Sequence, residues 1–345
     1  MDALAPMTLD PAVDALMARG AAFLGTRYAI LGGAMSWVSE RNLVAALSNA
    51  GAFGVIACGA MMPDRLAEEI AATQALTDKP FGVNLITMHP NLMELVQVCL
   101  DAKVGHIVFA GGIPPGPAIK AAKEGGAKVI CFAPALALAK KLVRSGADAL
   151  VIEGSEAGGH IGPVSLTVLA QEILPHIRDV PVYVAGGIGR GEAILSYLEM
   201  GAAGVQIGTR FVCATECVAH PNFKRAFIRG AARDALPTVQ LDESFPVIPV
   251  RALQNEGTKR FLEHQAEVLR RFKAGEVAKD AGQLEIEHFW AGALRRAVVD
   301  GDVENGSLMA GQSVGMVTKE QPAAEIIAEL LAQASAALTA RRAGA

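Results

Sequence analysis

The stretch Glu153-Gly154-Ser155-Glu156-Ala157-Gly158-Gly159-His160-Ile161-Gly162 gathers two carboxylates, an imidazole and a pair of adjacent glycines in a few residues. An imidazole changes charge near neutrality and can give or take a proton. Beside it, Gly158 and Gly159 would let a flat ligand lie against the backbone. The same residues also suit a plain turn ending in a solvated histidine, and the stretch alone leaves both readings open. Two further motifs, Ala185-Gly186-Gly187-Ile188-Gly189 and Gln206-Ile207-Gly208-Thr209-Arg210, offer backbone N–H groups with little side-chain obstruction. That is the chemistry of a phosphate cup. Gly32-Gly33-Ala34-Met35-Ser36-Trp37 supplies small residues that could run along the edge of a flat ring. Asn84 supplies an amide that both donates and accepts, or else merely a turn residue ahead of the next helix.

These groups need elements that bring them to one place. Apolar, mostly β-favouring runs recur at Tyr28–Leu31, Phe53–Ala57, Phe81–Leu85, His106–Phe109, Val129–Phe132, Ala149–Ile152, Val182–Ala185 and Val205–Ile207. Helix-like segments alternate with them, among them Leu43–Ser48, Leu66–Leu76, Leu92–Ala102, Pro117–Glu124 and Ala135–Arg144, many stopping at a small residue or glycine. Eight βα units predict a (β/α)8 TIM barrel, and the motifs above then all emerge at the C-terminal ends of strands, where such barrels keep their chemistry. A doubly wound open sheet would want G-x-G-x-x-G after its first strand, and none stands there. Asp10-Pro11 starts a helix to about Phe23 that is expected to close the bottom of the barrel.

Past Phe211 the rhythm stops. Residues 1–214 read as the cofactor-binding barrel and 215–304 as a smaller helical insert domain over its mouth, with Lys259–Phe272 its plainest helix. Residues 305–345 read as a glycine-bearing return loop, which brings Gln312 back to the site, and an amphipathic helix, Ala323–Thr339, packing on the barrel through Ile326, Ile327, Leu330 and Leu331.

Composition narrows the class. Hydrophobic residues make up 52% and charged residues 19%, enough apolar content for a large core. A net charge of -4, with no basic cluster interleaved with aromatics, sets nucleic acid aside. The uncharged run Asn42–Pro63 would catch a hydropathy window, but Asn49-Ala50-Gly51 breaks it into helix, turn and strand, so no membrane span is expected there. Cys58, Cys99, Cys131, Cys213 and Cys217 form no CxxC pair, and no metal site is expected, Cys213 and Cys217 lacking His or Cys partners nearby. Without a secretory leader pattern, a reduced cytoplasmic protein is the expectation.

With these motifs in place the chain resembles a known family. Gly33-Ala34-Met35-Ser36-Trp37-Val38, Lys79-Pro80-Phe81-Gly82-Val83-Asn84, Glu156-Ala157-Gly158-Gly159-His160-Ile161-Gly162, Ala185-Gly186-Gly187-Ile188 and Val205-Gln206-Ile207-Gly208-Thr209-Arg210-Phe211 are similar to the nitronate monooxygenase (2-nitropropane dioxygenase) superfamily of FMN barrels. Ala219-His220-Pro221-Asn222-Phe223-Lys224 and Gly301–Gln312 are most similar to its flavin-dependent enoyl-acyl-carrier-protein reductase branch. The resemblance implies bound FMN, with Gly186, Gly187, Gly208 and Thr209 at the phosphate and Gly33, Ala34, Met35, Asn84 and Glu153 near the ring and ribityl chain. Gly159 and Gln206 join that cofactor set, Gln312 falls to the substrate pocket, and His160 matches the active-site histidine. The family usually has Pro, Gln and Gly where this chain has Ala29, Gly32 and Ala34. Reductases of this type often respond to a monovalent cation, for which the sequence shows no position.

The activity implied is transfer of hydride from NADH or NADPH, through FMN, to an enoyl thioester on a small molecule or acyl carrier. Nitronate oxidation with O2 is the alternative, followed by a quinone-type reductase, a flavin-free barrel lyase or isomerase and a non-catalytic flavin carrier. A homodimer is the assembly to test for.

Overall fold

The computed structural model describes residues 9–59 and 61–344, so the first eight residues of the predicted barrel segment lie outside the described residues. Helix α1 (Pro11–Leu24) is followed by β1 (Ile30–Gly32), α2 (Arg41–Asn49), β2 (Gly54–Ala57), α3 (Pro63–Leu76), β3 (Phe81–Ile86), α4 (Leu92–Asp101) and β4 (His106–Ala110). Next come α5 (Gly116–Glu124), β5 (Lys128–Phe132), α6 (Leu136–Arg144), β6 (Ala149–Glu153), the two-residue β7 (Gly159–His160), α7 (Leu166–Ile173), β8 (Val182–Ala185), α8 (Gly191–Glu199) and β9 (Gly204–Ile207). After these stand α9 (Pro221–Arg229), β10 (Ala235–Pro237), β11 (Val250–Leu253), α10 (Glu256–Lys273), α11 (Lys279–Val298), β12 (Leu308–Met309) and α12 (Ala323–Ala343).

Eight strands form one parallel sheet in the order β1-β9-β8-β6-β5-β4-β3-β2. Its two edges meet where Leu31 bridges Phe53: Phe53 N–H donates to Ile30 O and Gly32 N–H to Phe53 O, both at 2.8 Å, and the sheet closes into the expected barrel. Each predicted strand is present. The strands are buried nearly end to end, which is why they read as continuous apolar runs without alternation.

The floor is built by α1. Asp10 caps it by accepting from Ala12 N–H at 2.8 Å, with Pro11 in the first turn. At its other end the Phe23 carbonyl accepts from Lys128 and from His106 Nε2, and the Gly20 carbonyl accepts from the Tyr183 hydroxyl at 2.8 Å. Burial pushes His106 down to about 4, so the ring stays neutral and donates through Nε2 while packing edge-on against Phe23 and Phe53.

The eighth helical position of the ring is taken by α12, which lies against both α8 and α2. Contact with α8 is at backbone distance: a Cβ on Gly191 would stand 1.9 Å from Leu330 O, and Gly191 N–H donates to Gln333 Oε1. By length and composition α12 is also the described helix apolar enough to cross a membrane, but Ile326, Ile327, Leu330 and Leu331 are spent on the barrel.

Between β9 and α12 the segment expected to be a helical insert is not wholly helical. Helices α10 and α11 do form a hairpin around Phe245, Val250, Phe261, Val268, Ile286 and Trp290. Strands β10 and β11 join them, and β11 pairs antiparallel with β10, β12 and β7. Val250–Leu253 was hard to read as a strand because all four residues are buried and none alternates. Gly159–His160 carries no strand pattern of its own, because it becomes a strand only by pairing with that distant segment.

Gly20 tests the floor. Glycine in a helix normally costs about 1 kcal/mol against alanine, but here a Cβ would lie 2.0 Å from Ala203 O. Gly20→Ala is therefore expected to lower unfolding free energy by about 1–3 kcal/mol. Gly292→Ala in α11, where nothing lies within 4 Å, should raise it by about 0.4–1 kcal/mol. Urea titrations of both variants check the pair; an undiminished Gly20→Ala protein would remove the contact.

Candidate active site

At the barrel mouth the glycine motifs converge. Gly33 N–H donates to Ile207 O at 2.8 Å, and a Cβ on Gly33 would stand 3.3 Å from Gly208 Cα, so the loops after β1 and β9 touch through glycine. Met35 lies over Gly208, its sulfur 3.3 Å from where a Cβ would be. Ser39 Oγ holds this first loop in shape by donating to Gly33 O and accepting from Met35 N–H. Gly186 and Gly187 both have positive φ, +98° and +70°, and a Cβ on Gly186 would meet Gly154 O at 2.9 Å. Only glycine fits so close a crossing of the loops after β6 and β8.

Among the described residues, the N–H groups of Gly187, Gly208 and Thr209 donate to no protein acceptor. Three free donors at the ends of neighbouring strands make a cradle for an anion. Thr209 opens a five-residue 3-10 turn, and its hydroxyl accepts from Gly311 N–H at 3.0 Å. Below the cradle, Glu153, Ala185, Gln206 and Leu31 stand in one register row across β6, β8, β9 and β1. Residues paired this way project from the same face. Neither Glu153 nor Gln206 has a side-chain partner among the described residues. Desolvation pushes Glu153 up to about 8, so at neutral pH it is largely a protonated, donor-capable carboxyl. Asn84 is buried in β3, its amide donating to Val108 O at 3.2 Å.

Two cavities adjoin these groups. One of about 210 Å³ is walled by Ile113, Phe132, Leu138, Val164 and Leu169 and reaches Glu153. The other, of about 320 Å³, is lined by Gly186, Gly187, Glu156, Arg233, Tyr197 and Gln312. Gln312 thus faces the glycines of the cradle rather than the apolar cavity, anchored by its N–H on Glu156 O. Glu156 is not free for chemistry: its carboxylate accepts from Leu166 N–H at 3.0 Å, capping α7 in the space a Gly154 side chain would need.

His160 borders neither cavity. On β7 it alternates outward between buried Gly159 and Ile161, 45% of its side chain exposed at the rim. Its Nε2 lies 2.8 Å from Glu287 Oε2 on α11, and its Nδ1 has no partner among the described residues. No local signal marks Glu287 in the sequence; only the β7–β11 pairing brings the two together. Arg251 escaped the sequence reading altogether, and Trp37, named there, holds a backbone conformation that the sequence does not announce. Arg251, buried on β11, donates to Ser155 O and Ala235 O and so pins the loop after β6 to the second sheet. Trp37 has a left-handed φ of +66° and lies 46% exposed under Arg295 of α11.

A closed parallel barrel with an anion cradle after its seventh and eighth strands defines a (β/α)8 barrel with a phosphate-type site at its mouth. The nitronate monooxygenase family model matches residues 18–333, and the chain belongs to that family. It is 30% identical to a carboxyl-CoA dehydrogenase of Rhodococcus jostii, a (3aS,4S,5R,7aS)-5-hydroxy-7a-methyl-1-oxo-octahydro-1H-indene-4-carboxyl-CoA dehydrogenase, over 90% of this chain and 94% of that one. A probable nitronate monooxygenase of Staphylococcus saprophyticus is 27% identical over 82% of this chain and 93% of its own. Among solved structures, FabK from Thermotoga maritima superposes with a TM-score of 0.84 at 36% identity, covering 95% of this chain and 99% of FabK.

Two outcomes test the site. Gly208→Asp puts a carboxylate into the cradle, with only the flexible Met35 thioether to move aside. Flavin content per chain is expected to fall sharply while Gly208→Ala keeps most of it; full flavin in the Asp variant would remove the cradle. Glu153 carries a pH signature. Its folded pKa of about 8 lies above its ordinary 4.5, so its contribution to stability is full below 4.5 and lost as pH rises through 8. Between pH 5 and pH 8, wild type should therefore lose melting temperature relative to Glu153→Gln, and parallel melts would contradict the shift.

Proposed function

We propose that this chain is an FMN-dependent oxidoreductase that reduces an enoyl thioester using NADH or NADPH. The family is FMN-dependent, and the residues fit that group: three free N–H donors for a phosphate, then Glu153 and Gln206 for a polyhydroxyl chain. In this reading Gly186, Gly187, Gly208 and Thr209 hold the phosphate. Gly33, Ala34, Met35, Asn84 and Gly159 approach the ring. Bound FMN supplies the relay of hydride from nicotinamide to acceptor. The chain's own residues hold the reactants in place, exclude water and manage the proton.

The observation that carries the thioester reading is the apolar cavity. Its wall runs from Ile113 and Phe132 to Gly162–Val164, the segment that continues directly from His160. An aliphatic acyl chain seated there would bring its thioester end toward the mouth. The CoA thioester in the name of the Rhodococcus jostii relative supports the same substrate class. In this reading His160 supplies the proton that must accompany hydride addition to a carbon–carbon double bond; its exposure at the rim and an Nδ1 without a partner among the described residues support that role. Nitronate oxidation is the second reading, favoured by the name of the Staphylococcus saprophyticus relative. There His160 would take a proton or steady an anion, and no nicotinamide would be needed.

Anaerobic mixing with NADH, NADPH or an alkyl nitronate in parallel separates these. Bleaching of the flavin absorbance by a nicotinamide, with recovery on adding an enoyl-CoA, is the expected result. Bleaching by the nitronate alone would replace the thioester reading. His160→Ala should keep the fold and the flavin, and slow the acceptor half-reaction by about 10²-fold or more, the scale of losing a general acid. A variant that runs that half-reaction at the wild-type rate would take His160 out of the chemistry.

A further inference from the structure

His160 and Glu287 approach from two elements that the second core holds rigid. On one side, β7 is fixed by pairing with Val250 and Arg251 and by Ile161 N–H donating to Pro249 O at 2.9 Å. On the other, Glu287 stands on α11 between Ile286 and Trp290, both buried in the insert's own core. The helix thus carries the carboxylate to the ring from a backbone anchored in that core, leaving only the Glu287 side chain to be ordered. Of the neighbouring charged residues along the two elements, Arg251 turns away to Ser155 O and Ala235 O, and Glu285 is engaged by Arg271 of α10 at 2.6 Å. Among the described residues, Glu287 is the ionisable group within bonding distance of the ring.

We infer that Glu287 is the positioning residue for His160: it holds the proton on Nε2 and thereby presents Nδ1 as the nitrogen that exchanges the reacting proton. This rests on the enoyl thioester reading. Balance is then complete. Hydride originating from the nicotinamide adds to the β-carbon, Nδ1–H of the imidazolium delivers a proton to the α-carbon, and the double bond becomes single. The neutral ring keeps its Nε2–H on Glu287 and recovers a proton at Nδ1 from water, which reaches it because 45% of the side chain is exposed. A carboxylate orienting and stabilising an imidazole while never itself reacting is an established division of labour.

The experiment compares His160→Ala, Glu287→Gln and Glu287→Ala in the flavin-loaded protein. The readouts are the separate donor and acceptor half-reactions and the ring-nitrogen NMR signals of His160. For both Glu287 variants we expect unchanged flavin content and donor half-reaction, and an acceptor half-reaction slowed about ten-fold or more, less than the ~10²-fold loss expected for His160→Ala. In wild type, the neutral ring should carry its proton on Nε2; in the Glu287 variants the two tautomers should mix. Wild-type acceptor rates and tautomer in Glu287→Gln, with His160→Ala slow, would overturn the inference and leave the thioester reading standing. Loss of flavin, or equal slowing of both half-reactions, would show a merely structural role and overturn it as well. A wild-type rate in His160→Ala would remove both the inference and its premise.

Discussion

Two residues of backbone pairing hold the mouth of this barrel together. Gly159 and His160 leave the loop after β6 to pair with Arg251 and Val250 of β11, and nearly every feature of the site follows from that join. It turns a flexible glycine-rich loop into a strand edge and sets the direction in which His160 points. It also places α11 above the rim, so that Glu287 meets the imidazole and, two turns further along the same helix, Arg295 meets Trp37. Backbone hydrogen bonds suit this task because they fix direction without specifying side chains. The loop can therefore keep the glycines that a close ligand requires.

Those glycines answer to a second constraint, the distance between backbones. The return loop rests on the loop after β6 so closely that a Cβ on Gly158 would stand 2.4 Å from Gly311 N, and one on Gly311 would stand 2.9 Å from Glu156 O. Layered in this way, the loop after β6 and the return loop are stacked main chain on main chain, leaving few side chains between them. A void there would be felt at once, since close-packed interiors relax only partly.

The barrel was legible in the sequence because its strands are buried on both faces and its helices end in small residues, so Val182–Ala185 or Phe81–Ile86 declares itself without tertiary knowledge. The glycine motifs were legible because a phosphate needs N–H groups and open space, and only certain residues leave both. What could not be read depends on pairing at long range. Strand β7 has two residues and no strand-like pattern, and Glu287 is one of two glutamates in its helix, with nothing local to set it apart from Glu285. Trp37 could be named, but its left-handed backbone could not be inferred from an indole side chain, which normally disfavours it. Glu153 was placed with the cofactor, while its protonation at neutral pH follows only from the depth at which the closed barrel holds it.

The position of α12 bears on how the chain acquires this structure. Barrel strands follow one another closely and can pair as they form, yet the helix that fills the eighth place in the ring is separated from β9 by the entire insert. During synthesis the outer faces of α8 and α2 must therefore stay uncovered while the insert emerges and builds its own core around Phe261 and Trp290. Completion of the ring is a late, long-range event, with the loop-closure delay that such contacts carry. Until α12 docks, the groove that receives Ile326, Ile327, Leu330 and Leu331 is an apolar strip open to chaperones and to other nascent chains. The barrel is thus sealed by a helix made long after the strands it covers.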